Sequence, residues 1–188
     1  MTHAEAPLFL LPLLAGVASL LLILVLTPFA ERMQWVDRPD QRKRHQEPVP
    51  MIGGLAIYLV MLSGFLVFQP PEKLSWLLFA ITLLVVVGFL DDLFELGVKL
   101  RVFVQIVATM CVIVGAGLSV QYIGLDFVPV NELGLLGLAF TVFAVVGLTN
   151  AFNMVDGIDG LAAGHFLVGL AYVAALQLFS TGTLIQSE

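Results

Sequence analysis

Apolar residues fall along this chain in six long runs separated by short polar segments. The runs cover approximately Leu8–Ala30, Gly53–Phe68, Leu74–Leu90, Leu100–Val120, Leu133–Leu148 and Leu161–Phe179. Most approach the roughly 20 residues that a helix needs to cross a hydrocarbon core. A helix bathed in lipid can be apolar on every side, so run length is the informative signal here and periodicity is not. The pattern predicts an all-α, polytopic transmembrane helical bundle of about six helices, forming a single integral membrane domain over residues 1–188. Pro12 and Pro28 lie near the two ends of the first run, where a missing backbone donor is most easily tolerated.

Composition supports the same class. Sixty per cent of the residues are hydrophobic and 12% charged, with mean hydropathy +1.03. A soluble chain of this length could not bury that much apolar surface. The first run reads as a permanent helix and not a cleavable signal peptide, because Met1–Pro7 carries Glu5 and no Lys or Arg. Cys111 has no second cysteine to pair with and reads as a small apolar residue of the fourth helix.

The formal charge of −6 matters less than where the cations fall. Arg32, Arg38, Arg42, Lys43 and Arg44 lie between the first and second helices, and Lys99 and Arg101 between the third and fourth. Only Lys73 falls in a loop of opposite parity. The positive-inside rule then puts the N-terminus outside and the loops 31–52, 91–99 and 149–160 in the cytoplasm. The loose alternation of Ser119–Val130 around Gly124 allows a short extracytoplasmic β-hairpin.

Three polar segments thereby share one side. The first, Asp37–Gly54, reads DRPDQRKRHQEPVPMIGG. Its cluster Arg42–His45 suits phosphate through paired Arg donors and the Lys point charge. The same cations could instead only set topology or meet anionic headgroups. The second segment, Asp91–Arg101, puts two adjacent carboxylates at the end of an apolar run. That is costly unless they are solvated, paired or bound to a cation such as Mg²⁺. A solvated helix end is the simpler alternative, although carboxylates there oppose the helix dipole.

The third segment, Asn150–Ala162, reads NAFNMVDGIDGLA. Asn150 and Asn153 are three apart, as are Asp156 and Asp159, so each pair can share a helix face. Gly157 and Gly160 permit tight turns. Helix capping by Asp159 accounts for one Asp and one Gly but not for the rest. A calcium loop fits poorly, and no phosphate-binding glycine loop of the P-loop kind is present. Four aspartates, two asparagines and a basic cluster on one face suit a Mg²⁺–diphosphate site.

On these residues the chain resembles the polyprenyl-phosphate N-acetylhexosamine-1-phosphate transferases, glycosyltransferase family 4. The RKRH form of the first loop is most similar to the bacterial undecaprenyl-phosphate N-acetylglucosamine-1-phosphate transferases. The resemblance implies an enzyme of the bacterial inner membrane with cytoplasmic active-site loops. It would transfer N-acetylglucosamine-1-phosphate from UDP-N-acetylglucosamine to undecaprenyl phosphate and release UMP, a first membrane step of cell-surface polysaccharide synthesis such as cell wall or lipopolysaccharide biogenesis.

Carried over residue by residue, Asp91 and Asp92 are the catalytic acidic pair. Lys43, Arg44, His45, Asn150, Asn153, Asp156 and Asp159 are the substrate-binding residues, and Asp91, Asp92 and Asp156 the metal-binding carboxylates. The implied cofactor is Mg²⁺, with Mn²⁺ as an alternative. The implied partners are UDP-N-acetylglucosamine, undecaprenyl phosphate, the bilayer and a second copy of the chain in a homodimer, with no nucleic acid. Family members usually continue for over a hundred further residues, with a GD-containing metal loop and a His-rich loop. The expectation is therefore that this chain is the N-terminal part of a longer transferase and inactive alone.

Other readings keep the chemistry but change the donor, to another UDP-N-acetylhexosamine or UDP-N-acetylmuramoyl-pentapeptide. An ion-coupled transporter would need polar stations near the midplane of the bilayer. A purely structural membrane subunit leaves the Asn–Asp segment without a role.

Overall fold

The computed structural model describes residues 6–37, 49–122, 132–155 and 160–185. Six α-helices account for most of them, in chain order α1 Ala6–Arg32, α2 Gly53–Phe68, α3 Glu72–Phe94, α4 Val98–Cys111, α5 Leu136–Val155 and α6 Leu161–Ile185. Among the described residues, α1, α3, α4 with its continuation to Ala116, and α5 are each long and apolar enough to cross a membrane. Aliphatic and aromatic side chains are exposed along these helices, as suits a chain whose solvent is lipid. The chain is a multi-pass membrane protein.

The chain divides into two compact units, Met1–Val142 and Phe143–Glu188. In the first unit, neighbours in sequence are neighbours in space: α1 packs on α2, α2 on α3, and α3 on α4. Small residues stand where helices approach, since Ala30, Ala56, Ala80, Ala108 and Ala116 are all buried. Alanine lets backbones come close when lipid supplies no hydrophobic drive for association. Tyr58 and Thr82 share a hydrogen bond of 2.8 Å between α2 and α3.

Each connection has a local cause. At the end of α1, Gln34 adopts a left-handed φ of 58°. Trp35 N–H donates to Ala30 C=O at 2.8 Å and Gln34 N–H to Glu31 C=O at 3.1 Å. This is the Schellman pattern, and Trp35 supplies its apolar contact by meeting Phe29 edge-on at 5.5 Å. The chain then enters β1, Val36–Asp37, which pairs antiparallel with β2, Val49–Pro50, in the register Val36↔Pro50 and Asp37↔Val49. Between α2 and α3, Pro70 and Pro71 prevent helix continuation.

Helix ends differ from those expected of the apolar runs. The third run stops at Leu90, whereas α3 continues through Asp91 and Asp92 to Phe94. Backbone hydrogen bonding is indifferent to side-chain polarity, so the helix ends only where Glu95 turns left-handed at φ 50°. The segment Asp91–Arg101, expected as a loop, is thus mostly helical, with only Glu95–Gly97 linking α3 to α4. Similarly, α5 runs past Leu148 to Val155 and takes Asn150 and Asn153 into its last turns.

The fourth run is regular only to Cys111. A π-helical turn, Val112–Ala116, follows and ends at Gly117, φ 68°. A Cβ at Gly115 would overlap the indole of Trp76 on α3, so the π-turn lies against that ring. Beyond it, one antiparallel bridge joins Tyr122 to Glu132, while the loop expected as a hairpin lies mostly outside the described residues. Buried Thr141 on α5 secures this connection: its Oγ1 accepts Val120 N–H at 2.8 Å and donates to Gly137 C=O at 2.6 Å.

Candidate functional site

The last turn of α3 holds the acidic pair. The Asp91 carbonyl accepts Glu95 N–H at 2.8 Å, which closes the helix. Its carboxylate Oδ2 accepts a hydrogen bond from Arg101 Nη1 at 2.7 Å, across the turn to α4. Side-chain exposures of 18% for Asp91 and 28% for Arg101 put this pair in a half-buried setting. Each charge opposes the dipole of its own helix, but each also lies beside the favourable end of the other's helix. The pairing therefore removes the cost that the sequence alone implies.

Asp92 points elsewhere. Successive residues on an α-helix are separated by about 100°. Asp92 lines a cleft of about 190 Å³ together with Met51 just before α2, Gly54 and Leu55 in its first turn, and Val85, Gly88 and Phe89 from α3. Glycines at 54 and 88 leave the walls open, for a Cβ at either would meet nothing within 4 Å. Ile52, 2% exposed, holds the N-cap position of α2 without a side-chain cap. The first turn of α2 thus presents backbone N–H groups beside the cleft, a setting that favours anions.

The base of the first polar loop belongs to the same neighbourhood. Met51 N–H donates to Trp35 C=O at 3.0 Å, and the β1–β2 ladder holds residues 37 and 49 side by side. Trp35 also meets Phe89 edge-on, with ring centroids 5.1 Å apart. The end of α1, the start of α2 and the end of α3 are therefore fastened at one end of the first unit. Lys43, Arg44 and His45 lie outside the described residues, on the segment this ladder closes.

In the second unit, Asn150 and Asn153 both ride on α5 and, three apart, share a face. Asn150 Nδ2 donates back to Val146 C=O at 2.8 Å. Asp156 and Asp159 lie outside the described residues. Gly160 precedes α6 with φ 78°, a left-handed conformation that favours glycine. His165 is exposed and bonded through Nδ1 to Leu161 C=O of its own helix at 2.9 Å.

The family model for glycosyl transferase family 4 matches residues 74–186. The chain belongs to this family. It is 35% identical over 181 residues to the "Probable undecaprenyl-phosphate N-acetylglucosaminyl 1-phosphate transferase" of Bacillus subtilis (strain 168), covering 92% of this chain and 50% of that protein. It is 38% identical over 169 residues to the undecaprenyl-phosphate alpha-N-acetylglucosaminyl 1-phosphate transferase of Yersinia pestis, covering 88% and 46%. To the same-named protein of Escherichia coli O157:H7 it is 36% identical over 157 residues, covering 82% and 42%. The chain spans about half the length of the curated relatives it matches.

Family 4 enzymes generally depend on a divalent metal. Among the described residues, no three His, Cys, Asp or Glu side chains gather to hold one. Mg²⁺ commonly uses only one or two carboxylates, completing its shell with waters and substrate phosphates. Asp92, a hard oxygen donor on an open cleft, fits that role. Arg101 was read from the sequence only as a topogenic cation. Its signal was nevertheless there, since Asp91 and Arg101 are opposite charges each five residues from Leu96, flanking a turn.

Proposed function

We propose that the protein of which this chain forms part transfers N-acetylglucosamine-1-phosphate from UDP-N-acetylglucosamine to undecaprenyl phosphate at the cytoplasmic face of a bacterial inner membrane. The observation that carries this reading is the match, over 92% of the chain, to a relative named for that transfer. An oxygen of the lipid phosphate attacks the β-phosphorus of the donor, and UMP departs as the leaving group. The lipid phosphate is largely ionised near neutral pH, so its orientation matters more than its deprotonation.

Of the acidic pair, Asp92 is the member facing the reactants. Its carboxylate would hold a divalent cation, Mg²⁺ or Mn²⁺, whose charge would offset that of the diphosphate. The N-terminal turn of α2 offers backbone donors to phosphate oxygens at the same cleft. Lys43, Arg44 and His45, on the segment between β1 and β2, carry the family role of contacting the phosphates or uridine. In this reading Asn150, Asn153, Asp156 and Asp159 carry the family roles of nucleotide-sugar-binding residues, and Asp156 also that of a metal-binding carboxylate. The apolar walls of Leu55, Val85 and Phe89 suit a polyprenyl chain that stays in the bilayer while its phosphate reaches the interface.

The test is exchange of labelled UMP into UDP-N-acetylglucosamine by the full-length protein, with and without Mg²⁺. Asp92→Asn should abolish exchange while the protein stays in the membrane. Near-normal exchange by that variant would refute the site.

A further inference from the structure

Arg101 and Asp91 make a contact that is poorly built as a stability device. The guanidinium reaches the carboxylate through Nη1, and no two-pronged fork forms, because Nε is buried with no hydrogen-bond partner among the described residues. A half-buried pair with an orphaned donor gains little over an apolar replacement. What the contact does define is orientation. Asp91 is held twice, by Glu95 N–H on its carbonyl and by Arg101 on its carboxylate, and both tethers act on the last turn of α3. The next residue is Asp92, on the cleft.

We propose that Arg101 is a positioning residue that draws Asp91 across the α3–α4 turn and so fixes the rotation of the last helical turn with Asp92 alone presented to the cleft. This rests on the transferase reading of that cleft. The two aspartates, adjacent and chemically identical, then have different tasks: Asp91 anchors and Asp92 faces the reactants. Without the anchor, the final turn of α3 can unwind or rotate, and Asp92 leaves the geometry that phosphoryl transfer needs.

The test is a double-mutant cycle in the full-length protein, reading kcat, the KM for UDP-N-acetylglucosamine and the melting temperature. Arg101→Gln and Asp91→Asn should each lower kcat by about tenfold or more with KM little changed, because small misplacements of a reacting group are costly. The double variant should be no slower than the slower single variant, since both remove one interaction. Arg101→Lys, which keeps a cation within reach, should recover most of kcat. The melting temperatures of the same variants should show the same non-additivity, a readout that needs no turnover.

Multiplying effects on kcat would overturn the proposal, as would a lowered melting temperature with unchanged kcat in Arg101→Gln. A far deeper loss in Asp91→Asn than in Arg101→Gln would also overturn it, by putting Asp91 itself on the substrate. A wild-type protein inert in exchange would refute the transferase reading, and that result precedes any comparison of variants.

Discussion

The indole of Trp35 meets the ring of Phe89 edge-on, at 5.1 Å between centroids and 84° between planes, three residues before Asp92. With its second edge-on contact, to Phe29, Trp35 fastens the end of α1 to the end of α3. Trp35→Ala removes both pairs, each worth about 0.5–1.5 kcal/mol beyond area burial. Thermal unfolding in detergent should show a lower midpoint, and Trp35→Leu should fall between the two. An unchanged midpoint in Trp35→Ala would mean that the bracket holds nothing.

The cleft should be blockable without unfolding the protein. Gly88→Leu puts an isobutyl group into a space of about 190 Å³, where a Cβ meets no neighbour. UMP exchange should fall by about tenfold or more, as expected when reacting groups are displaced, while the melting temperature holds. Gly64→Leu, equally open but away from the cleft, is the control. Equal activity in the two variants would separate the cleft from the chemistry.

The π-turn is packed against a ring, and even one methyl should be felt. At Gly115 a Cβ overlaps the Trp76 indole, so Gly115→Ala should cost about 1–3 kcal/mol, the usual range for overpacking. Trp76→Leu in the same chain should restore part of the loss. Denaturation of the wild type and the two variants in matched detergent provides the comparison.

Thr141 carries a buried hydroxyl that satisfies the Val120 N–H. Thr141→Val keeps the shape and leaves that donor unpaired, which should cost about 1–3 kcal/mol. Hydrogen exchange at Val120 should quicken in step. Protection equal to wild type would show that another acceptor takes over.

Topology gives a further test. In a Cys111→Ala background, Met33→Cys and Glu95→Cys should react with an impermeant thiol reagent from the cytoplasmic side, and Gln69→Cys from the other. Labelling of Met33→Cys and Glu95→Cys from opposite sides would contradict the contact between Trp35 and Phe89.

Six helices could be read from the apolar runs because lipid penalises exposed polar groups so heavily that hydropathy alone marks a spanning segment. Their ends could not. At Leu90 and Leu148 the apolar run stops while the backbone ladder continues, and polarity carries no information about where a ladder ends. The left-handed residues that stop α1 and α3 are Gln34 and Glu95, neither of them a residue that signals a turn.

Composition and order by themselves determined the membrane class, the number of helices, the family and the three polar segments, because each depends on residue type and spacing. Only the tertiary structure decided that Asp91 turns to Arg101 while Asp92 turns to a cleft shared with Gly54 and Met51. Two identical neighbours in sequence are separated by the rotation of a helix. Which side of that helix meets α4 and which meets α2 is a property of packing, and no linear pattern contains it.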